Sequence, residues 1–151
     1  MPTIFSRLCE ALLLSAKMLL SRVAPGTHAL VLDAQGRVLL VRHSYQAGWR
    51  LPGGGVDAGE TPDQALRREL REELGLQGGS LALFGIYARR HLWMGNLVVL
   101  YRVEGASLDF RPSWEVREIL WADPAAPPPR LATATARRLA ELTGAPIGRD
   151  W

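Results

Sequence analysis

The hydrophobic pattern changes its rhythm twice along the chain. The opening run "IFSRLCEALLLSAKMLL" is apolar but interrupted by Arg7, Glu10 and Lys17, which leaves it short of the roughly 20 clean apolar residues a membrane span needs. No A-x-A-like cleavage site follows it, so it is not read as a signal peptide. At 100° per residue, Thr3, Arg7, Glu10, Lys17 and Ser21 share one narrow stripe. Phe5, Leu8, Leu12, Leu13, Met18, Leu19 and Leu20 cover most of the rest, predicting an amphipathic helix over 1–23 with a wide apolar face. Such a face packs on its own domain, on a second copy as a homodimer, or on a membrane surface.

From Ala24 the rhythm shortens to strands. "THALVLDAQGRVLLVRH" reads as two leucine- and valine-rich runs around the turn "DAQGR", with Gly36 supplying the permissive backbone of a hairpin. "SLALFGIYARR" and "NLVVLYRVEG" predict two more strands and "EVREILWA" a fifth. "DPAAPPPR" is a connection, because proline fixes φ and removes backbone donors. A last helix is expected over 131–142, closed by Gly144. Strands in the middle with helices at the start, centre and end imply an α/β fold with a mixed sheet covered on both faces. The organisation expected is a helix at 1–23, one domain at 24–144 and a tail at 145–151, without internal repeats.

The central helix is the most sharply defined element. Thr61 is a good N-cap, Pro62 occupies the first helical position and Gln64 completes a capping-box spacing. Gly75 ends the helix after Leu74 as a left-handed cap. Ala65, Leu66, Leu70 and Leu74 form its apolar face. Glu69, Glu72 and Glu73 stand at i, i+3 and i+4 and share one side, a spacing at which like charges repel. Ahead of them, Gly53, Gly54, Gly55 and Gly59 allow tight turns and a close approach of backbone to a ligand. Glu60 follows immediately. Two readings compete for these acids. Arg67, Arg68 and Arg71 suit a solvated, salt-bridged helix surface, with Arg68 and Glu72 paired at i,i+4. A divalent cation accounts in addition for Glu69 set against Glu73 and for the glycines, since magnesium takes hard oxygen ligands beside substrate phosphates and water.

Composition changes this picture little. With 151 residues, 48% hydrophobic and 22% charged, the chain has the make-up of a soluble globular domain. One cysteine, Cys9, excludes an internal disulfide framework and a cysteine-based metal cluster, and fits a reducing, cytoplasmic setting. A net charge of +3 and a pI near 9.6 are compatible with phosphate-bearing substrates without calling for DNA.

In order, Gly54, Glu60, the run Arg68, Glu69 and Leu70, then Glu72, Glu73, Gly75 and Leu76 fill every fixed position of the Nudix box. The chain thus resembles the Nudix (MutT-like) hydrolases, and "GWRLPGGGVDAGE" and "EVREILWADP" extend the likeness over most of 26–124. The resemblance implies a Nudix α/β/α sandwich, to which the N-terminal amphipathic helix is extra. It also implies an Mg²⁺-dependent pyrophosphohydrolase, with Mn²⁺ as a substitute, that cleaves a nucleoside diphosphate linked to another group. By the same resemblance Glu60, Glu69, Glu72, Glu73 and Gly53 form the metal site, with Glu69, Arg68 and Glu72 the catalytic set. Arg68 orients the acids, and Glu69 is the first candidate for general base. Glu115 or Glu118 on the late strand is a further candidate for base or ligand, set against an ordinary surface salt bridge.

Substrate contacts are expected from Arg42, Arg50 and Gly54, and from Arg89 and Arg90 in the connection "YARRHLWMGN", where cations and an aromatic gather. Trp49 and Trp121 are read as core. The downstream proline of many ADP-ribose pyrophosphatases is missing, and neither an NADH-type nor a coenzyme A-type signature is present. The substrate expected is a nucleoside triphosphate or a nucleotide sugar. A triphosphorylated RNA 5′ end and a non-catalytic nucleotide sensor are the alternatives, the second disfavoured by retention of all four box glutamates.

Overall fold

A computed structural model of the chain describes residues 25–91 and 94–151, with side chains for 25–89 and 96–151. The helix expected over 1–23 lies outside the described residues. The strands are β1 (Gly26–Leu32), β2 (Val38–His43), β3 (Gly53–Gly55), β4 (Gln77–His91), β5 (Met94–Ser107) and β6 (Val116–Ala122). The helices are α1 (Pro62–Leu74), between β3 and β4, and α2 (Thr133–Leu142), after β6.

The sheet runs β4-β5-β1-β2-β6, with β3 paired to β1 off that path. It is mixed: β1 lies parallel to β5, and the other pairs are antiparallel. Because β1 and β2 are central, both of their faces need cover, and their runs are apolar without alternation. Ala29, Val31, Leu39 and Val41 pack beneath Leu66, Leu70 and Leu74 of α1. Leu30, Leu32, Val38 and Leu40 point the other way, toward Leu139 of α2. The α/β/α sandwich follows from this two-sided burial.

The local signals of α1 are realised. Thr61 has extended backbone, the capping box with Gln64 is formed, and Gly75 closes the helix at φ 62°. Helix α2 begins at Thr133, two residues later than expected, because Leu131 bridges Trp49 and the Ala132 N–H donates to the Trp49 carbonyl.

The strands around "YARRHLWMGN" are longer than the pattern suggested: β4 has 15 residues and β5 has 14. Arg89 and Arg90 lie on β4, as the run "SLALFGIYARR" predicts, paired with Asn96 and Gly95 of β5, so the connection is shorter than "YARRHLWMGN". Continuing the ladder satisfies their backbone groups without needing an apolar face. In the segment 145–151, the Ala88 N–H donates to the Arg149 carbonyl at 2.7 Å and the Trp151 N–H donates to the Ala88 carbonyl at 2.9 Å.

Candidate active site

The site grows from the contact between the glycine strand β3 and helix α1. Gly53 sits at φ 139°, where an added Cβ would stand 2.2 Å from the Thr27 carbonyl oxygen. At Gly54 a Cβ would stand 2.4 Å from the carboxyl carbon of Glu69. The glycines thus let the strand lie against β1 and let the Glu69 carboxylate lie against the strand.

Arg68 organises the acids. Its Nε and Nη2 donate to the two carboxylate oxygens of Glu60, both at 2.9 Å, a bidentate pairing. Nη1 donates to Glu69 Oε1 at 2.8 Å, and Nη2 also reaches the Gly55 carbonyl at 3.2 Å. Glu72 Oε2 is 3.5 Å away. The hydrogen bonds from Arg68 hold Glu60 below the usual carboxylate range, against the opposing effect of desolvation. Glu69 moves up, chiefly because it is partly buried; Glu73 and Glu72 add repulsion and Arg68 pulls the other way. Glu60 and Glu69 in turn push the Arg68 guanidinium further toward its charged form.

Glu73 is the outlier. Its side chain is 7% exposed and its Oε2 is buried with no hydrogen-bond partner. The nearest charged group is the imidazole of His43, also 7% exposed, with Nε2 at 3.7 Å from Glu73 Oε1. A buried carboxylate without partners is costly unless a cation joins it. The oxygen-only donor set of Glu60, Glu69, Glu72 and Glu73 suits a hard divalent cation. Among the described residues no three such side chains converge as a closed cage; Arg68 draws Glu60 and Glu69 to itself. The donors fit the ion in kind and charge.

Beside these acids opens a cleft of about 290 Å³, lined by Gly53, Gly54, Gly55, Arg50, Arg89 and His28 among others. Arg50 has a buried Nε without a hydrogen-bond partner, a donor suited to an anion entering the cleft. Arg42 is placed differently. It forms an ion pair with Glu118 across the β2–β6 ladder and lies over the Trp49 ring at 5.9 Å, facing a separate cleft. Arg90 extends beyond Arg89 on β4, and its side chain is outside the described set. Glu115 accepts a hydrogen bond from Tyr45 at 3.2 Å, while Glu118 is taken up by Arg42.

One wall of the cleft carries no signal in the sequence pattern. Trp151 stacks on His28 with ring centroids 4.9 Å apart and meets Tyr87 edge-on at 5.7 Å. It is fixed by Arg138, 1% exposed, whose Nη2 pairs with Glu141 at 2.8 Å and whose Nη1 reaches the Asp150 carbonyl at 3.1 Å. Glu141 also accepts from the Tyr87 hydroxyl and from the Gly148 N–H, each at 2.8 Å. The guanidinium of Arg138 lies 3.8 Å over the Tyr87 ring. Desolvation, with a contribution from the charge of Arg89, pushes the His28 imidazole down to about 4, so this wall is neutral at pH 7.

Comparison with known proteins agrees with this architecture. The NUDIX domain family matches residues 22–142. The chain is 45% identical over 65 residues to an RNA pyrophosphohydrolase of Halorhodospira halophila, covering 43% of this chain and 36% of that protein. It is 47% identical over 53 residues to an RNA pyrophosphohydrolase of Tolumonas auensis, covering 35% and 30%. The matched segments thus span about a third of the length of these relatives. Among solved structures, a MutT NUDIX hydrolase from Burkholderia pseudomallei superimposes with a TM-score of 0.72 at 23% identity, over 81% of this chain and 99% of that one. A mutator MutT protein from Bacillus halodurans does so at 0.67 and 19% identity, over 85% of each. These two likenesses show a shared fold, and the family match covers most of the described domain. The chain belongs to the Nudix domain family.

Proposed function

We propose that the protein is a metal-dependent pyrophosphohydrolase that cleaves a phosphoric anhydride in a nucleoside diphosphate carrying another group. The observation that carries this reading is the Glu73 carboxylate, buried with Oε2 unpartnered and Oε1 3.7 Å from the His43 imidazole, on the helix face that also carries Glu69 and Glu72. A solvated, salt-bridged surface accounts for Arg68 with Glu60 but leaves this acid unexplained. Glu60, Glu69, Glu72 and Glu73 are the residues that hold Mg²⁺, or Mn²⁺ in its place, with Gly53 as a backbone contributor. When bound, the ion supplies neutralisation of charge on the diphosphate oxygens.

The chain's own groups do the remainder. Arg50 and Arg89 line the cleft and neutralise phosphate oxygens there. Glu69 is the general base: Arg68 holds its Oε1, leaving Oε2 to take a proton from the attacking water, and partial burial raises its basicity. Arg68 keeps that carboxylate in place through the same guanidinium that grips Glu60. The His28 and Trp151 wall, neutral and aromatic, suits the nucleoside end.

Two substrate classes fit. A free nucleoside triphosphate or a nucleotide sugar carries the diphosphate that this reading requires. A triphosphorylated RNA 5′ end is favoured by the two relatives named as RNA pyrophosphohydrolases. Phosphate and pyrophosphate release is to be followed over nucleoside triphosphates, nucleotide sugars, ADP-ribose, dinucleoside polyphosphates and triphosphorylated RNA, with Mg²⁺ and with EDTA. Turnover that needs the metal and disappears in Glu73→Gln supports the proposal. Tight nucleotide binding without turnover of any substrate refutes it and leaves a nucleotide-sensing module.

A further inference from the structure

A second cleft, of about 380 Å³, opens where β2 and β6 meet the connection before α2. Its walls include Arg42, Arg117, Arg130 and Trp49, and it shares His43 and Gln46 with the diphosphate cleft, so the two are neighbours. Arg42 is engaged by Glu118. Arg117 and Arg130 are exposed, and among the described residues neither guanidinium has a hydrogen-bond or ion-pair partner. Two unpaired arginines at one cleft are a local positive field with donors free for an anion.

The backbone at Arg130 adds a second observation. Arg130 has φ 62°, the only left-handed residue other than glycine among the described residues. It is held there by the Trp49 N–H, which donates to its carbonyl at 2.8 Å. Gly48 makes room, since a Cβ on it would stand 2.6 Å from that carbonyl. Arginine has no side-chain hydrogen bond to favour this conformation, and a strained side chain at a cleft is a pointer to function. Trp49, which lies under the Arg42 guanidinium, lines the same cleft, and a positive groove with an aromatic beside it is how single strands are held.

We propose that this cleft receives the nucleotides following the first in a 5′-triphosphorylated RNA strand whose triphosphate lies in the diphosphate cleft. Arg117 and Arg130 take the phosphodiester groups. The inference rests on the RNA reading above and sharpens it, because a free nucleoside triphosphate ends before it reaches these residues.

The double variant Arg117→Gln, Arg130→Gly tests this without threatening the fold, since glycine adopts φ near +60° freely. Hydrolysis of a short 5′-triphosphorylated oligoribonucleotide and of the matching nucleoside triphosphate is measured for the wild type and the variant over a range of salt. The expected result is a drop of about tenfold in kcat/KM for the RNA, carried by KM, with the nucleoside triphosphate unchanged. The salt slope for RNA should also flatten by about 1 to 1.5, from two lost contacts at roughly 0.7 each on a single strand. A wild type that hydrolyses RNA while the variant matches it on both substrates overturns the second cleft alone. Equal losses on both substrates also overturn it, because the arginines would then serve the first cleft. A wild type that hydrolyses only the nucleoside triphosphate overturns the RNA reading itself, and this inference with it.

Discussion

Replacing Gly54 by alanine tests whether the Glu69 carboxylate must lie against the glycine strand. The new Cβ would stand 2.4 Å from the Glu69 carboxyl carbon and 2.6 and 2.7 Å from its oxygens. Ordinary contact between such atoms is about 3.5 to 4 Å, so the carboxylate has to retreat by about 1 Å. Gly54 does not need a left-handed backbone, and the Glu69 side chain is 17% exposed, so it can move without opening the core. Stability should therefore fall by no more than about 1 kcal/mol. A reacting or orienting group displaced by ~1 Å costs on the order of 10²-fold in rate, and here the loss should fall on kcat. Gly55→Ala is the matched control, since its Cβ would meet nothing within 4 Å. Steady-state hydrolysis and urea denaturation of both variants decide the matter. Full activity in Gly54→Ala would refute the placement of Glu69 against the strand as a catalytic requirement, and equal losses in the two variants would point to loop flexibility instead.

Further outcomes follow from the buried charges. Arg138→Met leaves Glu141, 5% exposed, without its ion-pair partner and should cost about 3–5 kcal/mol in chemical denaturation; Trp151 fluorescence should shift to longer wavelength as the indole leaves His28. Glu73→Gln removes an unpartnered buried charge, so without metal the variant should melt at or above the wild-type temperature while losing turnover. His28 is held down to about 4 in the folded state against 6.5 unfolded, so the unfolded chain binds more protons between those values. Stability is then full above pH 6.5 and lost as pH falls toward 4, by at most about 3 kcal/mol since the ring borders the open cleft; His28→Phe should flatten that limb. Glu60, with a folded-state pKa depressed by Arg68, stabilises above the ordinary carboxylate range, and that contribution disappears as pH falls through its lowered value. Glu60→Gln should weaken the acid dependence below pH 4.5.

What the sequence discloses depends on how local the causes are. Helix α1 could be bounded at both ends because Thr61, Pro62, Gln64 and Gly75 act within one turn of the residues they cap. The two faces of β1 and β2 were legible as continuous apolar runs, and the Nudix box places its glutamates on one side of a helix whose apolar register is fixed. The rest is set by partners distant in sequence. Arg42 resembles any other basic residue near the glycines until the β2–β6 register brings Glu118 opposite it. Trp151 reaches the cleft only because Arg138, Glu141 and Tyr87 come together from α2 and β4. The full extent of β4 and β5 has a related cause: pairing between the strands, rather than alternation within either, carries them on to Gln77 and Ser107 at one end and to His91 and Met94 at the other.

The acids of α1, beside the glycine strand, are the proposed seat of a divalent cation. Mn²⁺ binding, followed by electron paramagnetic resonance on the wild type, Glu69→Gln, Glu73→Gln and the surface control Glu118→Gln, tests it without relying on turnover. The account predicts bound Mn²⁺ in the wild type and Glu118→Gln, and weakened or lost binding in the two helix variants with their circular dichroism unchanged. Equal binding in all four proteins, or none in the wild type, would contradict it.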